Sequence, residues 1–128
     1  MSVESFETAT ASVSLEGGIL VIRSTGVYST PESVTETLAG VRSILKGVRR
    51  PLLFDARKWP GGDPEAWVTF ISAAEQMFSA GAMLFDTSAP AVVGRFPEFI
   101  DRFVIPFRTF TDESEAMEFL GQEFEEEE

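Results

Sequence analysis

The chain has 128 residues, enough for one domain, and a 44% hydrophobic, 24% charged composition that is globular rather than disordered. It contains no cysteine and no histidine. That excludes disulfides, thiolate nucleophiles, Ser-His-Asp and Cys-His triads and ordinary zinc sites, and leaves only carboxylate, lysine or tyrosine chemistry open. The net charge of −11 is unevenly spread: nine of the 21 acids fall in residues 112–128, where there is no base, and the rest of the chain carries twelve acids against ten bases. Without clustered cations, nucleic acid is not an expected partner.

Residues 1–10 are polar and read as a flexible N-terminus ahead of a single domain at 11–121. The opening MSVESFETATAS has no basic segment followed by an apolar one, and no apolar run reaches the roughly 20 residues of a membrane span. A cytoplasmic location is expected. Ser12 to Glu16 alternates, Gly17-Gly18 marks a tight turn and Ile19-Leu20-Val21-Ile22 follows, which is a β-hairpin pattern. Gly26 to Thr30 reads as a loop holding the one tyrosine, Tyr28.

Thr30-Pro31 then opens a helix, with threonine as cap and proline at the first helical position. Its apolar face is Val34, Leu38, Val41, Leu45 and Val48. Pro51 to Arg57 is an apolar run ending in charge, the pattern of a buried central strand whose carboxyl end reaches solvent. Trp59-Pro60-Gly61-Gly62 is a loop, and Asp63-Pro64 starts a second helix with Trp67, Phe70, Ile71, Ala74 and Phe78 facing inward and Gly81 as its stop. Ala82 to Phe85 forms a short strand ending at Asp86. Residues 89–105 read as a short helix broken by Gly94 and Pro97, Phe107 to Phe110 as a strand, and Thr111-Asp112-Glu113 as the start of a last helix stopped by Gly121. Residues 122–128 read as a disordered acidic tail. The strand–helix alternation predicts an α/β fold: a mixed, mostly parallel sheet of about five strands with an N-terminal hairpin, flanked by about four helices.

Three stretches carry a family resemblance: the hairpin Val13 to Ile22 running into a proline-started helix, Pro51-Leu-Leu-Phe-Asp-Ala-Arg57, and Phe107-Arg-Thr-Phe-Thr-Asp-Glu-Ser-Glu-Ala-Met-Glu-Phe-Leu120. In these the chain resembles the SpoIIAA-like group of the STAS / CRAL-TRIO-type fold, a bacterial-type family of largely unknown function. The resemblance covers residues 11–120 and implies a regulatory or protein-interaction domain. Members of the anti-sigma-factor-antagonist type are switched at a serine after the central strand, but residues 55–67 here contain no serine or threonine. Relatives on the CRAL-TRIO side bind apolar ligands over the sheet, which implies an alternative role as a carrier of a small, lipid-like molecule.

Several residues are candidates for a site. Asp55 and Arg57 end the central strand and Asp86 ends its neighbour, where open α/β sheets bind ligands. Two carboxylates there suit acid–base work if burial splits their pKa values; the plainer reading is a structural ion pair. Trp59 is either an exposed anchor or a side chain tucked under its own loop. Trp59, Trp67, Phe70 and the 96–107 segment would line an apolar pocket. Phe96, Phe99, Phe103 and Phe107 form the most apolar stretch, either core or the contact surface of a homodimer or partner protein. Arg42, Lys46, Arg49, Arg50, Arg57 and Lys58 would make an anion site if they gathered. The overall expectation is a non-enzymatic domain with no cofactor and no metal.

Overall fold

Strand β2 (Ala11–Glu16) turns into β3 (Ile19–Ser24) through Gly17 and Gly18, both at positive φ, 58° and 83°. Such a turn requires a left-handed pair, which is why glycine occupies both positions. Helix α1 (Pro31–Leu45) starts at Thr30, whose hydroxyl accepts from Ser33 N at 3.1 Å, while Ser33 Oγ accepts from Thr30 N at 2.9 Å. This reciprocal cap satisfies two helix-end donors. Lys46 closes the helix in the left-handed region and Gly47 follows at φ 82°. Strand β4 (Arg50–Asp55), α2 (Pro64–Met77) and β5 (Phe78–Leu84) follow, then β6 (Phe107–Phe110) and α3 (Glu113–Glu126). At the start of α3, Asp112 caps by accepting from Glu115 N at 3.1 Å. This computed structural model describes residues 5–86 and 102–126. None of its helices is long and apolar enough to cross a membrane.

The sheet has six strands in the order of the chain, β1 to β6. The first three pair antiparallel and the last four parallel. Helices α1 and α2 pack on one face, over Val13, Leu20, Ile22, Leu52 and Phe78. Helix α3 packs on the other through Ala116 and Leu120, over Ile19, Val21, Leu53, Ala82 and Leu84. Both faces of β3, β4 and β5 are therefore buried, which explains their unbroken apolar runs. Pro51 stands inside this sheet because the β4–β5 register shifts between Arg50 and Leu52, a bulge that tolerates a residue without N–H.

Four expectations need correction. Ser5–Glu7, read as flexible, form the edge strand β1, with Phe6 opposite Val13, so the sheet has six strands rather than five. Helix α2 ends at Met77, not at Gly81, and Phe78 already belongs to β5. Gly81 lies inside β5, and it is glycine because the Phe107 ring occupies the space where a side chain would be. Gly121 does not stop α3, which runs on to Glu126 through the first acids of the supposed tail. Val48, placed on the α1 core face by spacing, follows the helix end and is exposed. Among the described residues there are three helices; the broken helix expected at 89–105 falls largely outside them.

Candidate functional site

Parallel pairing sets Arg23 of β3 beside Asp55 of β4, both on the α3 face of the sheet. Asp55 is 8% exposed. Its carboxylate accepts from Arg23 Nη1 at 2.7 Å, Arg57 Nε at 2.9 Å, Arg57 Nη2 at 2.8 Å and the Arg57 backbone N–H at 3.1 Å. Glu113, in the first turn of α3, accepts from Arg23 Nη1 at 3.0 Å and from Arg57 Nη2 at 3.2 Å. Burial by itself would raise the Asp55 pKa, but the donors of Arg57 and Arg23 outweigh it and hold the carboxyl at about 2. The Arg23 guanidinium is raised chiefly by its bond to Glu113, and that of Arg57 by its bond to Asp55. The plainer reading of Asp55 and Arg57 thus describes their geometry: a four-residue ion network joining two strands to the foot of a helix.

On the opposite face the same end of the sheet is apolar. A crevice opens between the first turns of α1 and α2 and the carboxyl ends of β3 and β4. Ile22, Val34, Leu38, Phe54, Ala66 and Phe70 line it, with Trp59 and Trp67. The two indoles meet edge to face at 4.9 Å, and Phe54 lies 6.1 Å from Trp59. Trp59 is tucked under its loop: it is buried, and its Nε1–H donates to Ser29 Oγ at 3.0 Å. Ser29 also pairs by backbone with the 61–63 segment, accepting from Asp63 N and donating to Gly61 O, both at 3.0 Å. Loop 56–63 is thereby fastened to loop 25–29. Thr10, Ser24, Ser29 and Thr37 contribute hydroxyls, and among the described residues no ionisable side chain lines it. The crevice is partly open to solvent, and its volume is about 60 Å³.

The remaining candidates scatter. Asp86 lies past the end of β5, is exposed and does not line the crevice. Phe103 and Phe107 are half-buried and stack on each other at 4.1 Å, and Phe103 meets Phe70 at 6.3 Å. They belong to the packing around α2; Phe96 and Phe99 lie outside the described residues. The six cations do not gather. Arg42 and Lys46 at the end of α1, with Arg49 and Arg50, sit at the opposite end of β4 from Arg57 and Lys58, roughly 20 Å away along a six-residue strand. Arg49 is spent on a 2.8 Å bond to Phe78 O. Among the described residues no three carboxylates are placed to hold a metal ion.

A model of a domain of unknown function, DUF7793, matches residues 13–123. The chain belongs to the DUF7793 family. No curated protein matches its sequence. Among solved structures, it is similar to an uncharacterised DUF3478-family protein with a SpoIIAA-like fold from Shewanella loihica PV-4, at 17% identity over 91% of this chain and 98% of that one, with a TM-score of 0.65. It is also similar to apo-SiaC from Pseudomonas aeruginosa, at 15% identity over 84% and 98% of the two chains, with a TM-score of 0.54. The SpoIIAA-like fold expected from the three sequence stretches is therefore the fold of this DUF7793 domain.

Sequence reading missed two members of the ion network, Arg23 and Glu113, which stand 90 positions apart. The available signal was Arg23 itself, a lone charge ending the apolar run of a buried DUF7793 strand.

Proposed function

We propose that this domain is a non-catalytic interaction module that meets its partner at the carboxyl end of the sheet. The observation carrying this reading is the crevice, which sits where an α/β sheet usually binds its ligand yet, among the described residues, has no ionisable side chain in its lining. The nearby carboxylate on the other face, Asp55, has its oxygens taken by four donors and a pKa moved away from the range useful for proton transfer at neutral pH. Beside the crevice, Val27 and Tyr28 stand about half exposed in the loop that Ser29 fastens. Exposed aliphatic and tyrosine side chains at a rigid rim suit protein recognition. The partner is a second copy of the chain or another protein of the same compartment, which we take to be the cytoplasm.

A photo-crosslinking amino acid at position 28, with position 43 on α1 as control, tests this in the producing cell. A discrete product from position 28 and none from position 43 supports the reading. Absence of product at 28, or equal products at both, overturns it. Light scattering on purified protein then separates a homodimer from a different partner.

A further inference from the structure

We propose that the Trp59–Trp67 crevice is a binding site for a small uncharged ligand, a single ring or branched chain of about five to seven heavy atoms bearing one neutral hydrogen-bond acceptor. This inference concerns the interior of the crevice and stands independently of the protein contact proposed for its rim.

Size sets the first limit. The crevice is partly open to solvent, and its volume of about 60 Å³ falls well below the several hundred Å³ of sites for nucleotides or drug-sized molecules. A single small ring seats in it with one edge left in solvent, consistent with weak binding; a lipid chain is not enclosed. Charge sets the second limit. Among the described residues none of the lining is ionisable, and the Arg23–Asp55–Arg57–Glu113 network lies across the sheet. An ionised ligand entering here would lose its hydration and gain no counter-charge.

The hydroxyls set the polar requirement. Thr37 gives its proton to Ser33 O at 3.0 Å. Ser29 Oγ accepts from Trp59, and Ser24 Oγ accepts from Gly26 N at 3.4 Å. Among the described residues neither serine proton has an acceptor, and Ser24 is only 8% exposed. Two donors therefore line an otherwise apolar crevice, and an unmet buried donor favours a ligand that brings an acceptor. The aromatic wall of Trp59, Trp67, Phe54 and Phe70 supplies flat faces and edges for a ring.

The chain has two tryptophans and both line the crevice, so intrinsic fluorescence reports its occupancy directly. The probes are cyclopentanol, cyclopentane, cyclopentanecarboxylate and cyclopentylammonium, titrated into the full chain. Cyclopentanol is expected to give a saturable change in the millimolar range, at least tenfold tighter than either charged congener. Ser24→Ala is expected to bring cyclopentanol binding down to the level of cyclopentane while leaving cyclopentane unchanged. Ala66→Leu fills the crevice and is expected to abolish both, with the circular dichroism spectrum retained. The proposal is overturned if no neutral probe saturates, if the charged congeners bind equally well, or if Ser24→Ala leaves the preference for the alcohol intact. Failure here leaves the position-28 crosslink unaffected, and failure of the crosslink leaves the fluorescence titration unaffected.

Discussion

The phenyl ring of Phe6 rests on Gly40 in the middle of α1, so close that a methyl group on that glycine would overlap it. Phe107 is seated on Gly81 of β5 in the same manner. Both outermost strands of the sheet, β1 and β6, are thus held by one aromatic ring on one glycine. The arrangement makes a signed prediction. A helix-interior glycine is about 1 kcal/mol worse than alanine. With Phe6 present, Gly40→Ala forces the ring out and is expected to destabilise by about 1–2 kcal/mol. In a Phe6→Ala background the same change is expected to stabilise by up to about 1 kcal/mol, a reversal that a denaturant double-mutant cycle measures directly.

Asp55 predicts an acid-limb effect. Its folded pKa of about 2 lies below the 3.8 of an unperturbed aspartate, so its stabilisation is complete above pH 4 and is lost as pH falls through 2. The size is about 2 kcal/mol. Unfolding free energies measured from pH 5 to pH 2 are expected to fall more steeply for the wild type than for Asp55→Asn, and the two curves converge towards pH 2.

The two acids of the network differ in weight. Asp55 has a side chain 10% exposed, whereas that of Glu113 is 40% exposed. Glu113→Gln is expected to cost about 1 kcal/mol or less, since solvent screens its pairs. Asp55→Ala is expected to cost about 2 kcal/mol, because it removes a buried carboxylate that accepts four hydrogen bonds, and Glu113 replaces only part of them. Equal losses in urea unfolding would show that burial does not set the ranking.

Ser79 predicts a gain. Its hydroxyl is buried in β5 and has no hydrogen-bond partner among the described residues. Ser79→Ala removes an unmet polar group and is expected to be neutral or to stabilise by about 1 kcal/mol, read as a rise in thermal midpoint.

Local chemistry made much of this fold readable. The Gly17-Gly18 turn, the Thr30-Pro31 start and the apolar run at Pro51–Asp55 each depend on neighbours within a few residues. The same closeness made Trp59, Trp67 and Phe70 legible as one aromatic group, since they lie on one loop and the helix it feeds. The misreadings share another cause. Gly81 resembles a helix stop, but its reason for being glycine is Phe107, distant in sequence. Ser5–Glu7 has no strand pattern of its own and is held by Phe6 on Gly40. Arg23 and Glu113 meet only after three crossovers have formed. A short window of sequence carries none of these long-range contacts.

Strand order in space equals strand order along the chain, and this has a consequence during synthesis. Each strand leaving the ribosome adds to the free edge of the sheet already made, so no earlier pair needs to open. The face under α3 is the exception. Ile19, Val21, Leu53 and Leu84 are in place while Ala116 and Leu120 are still in the exit tunnel. Until α3 emerges, the nascent domain presents an apolar sheet face to water, and that interval is when a chaperone would find it.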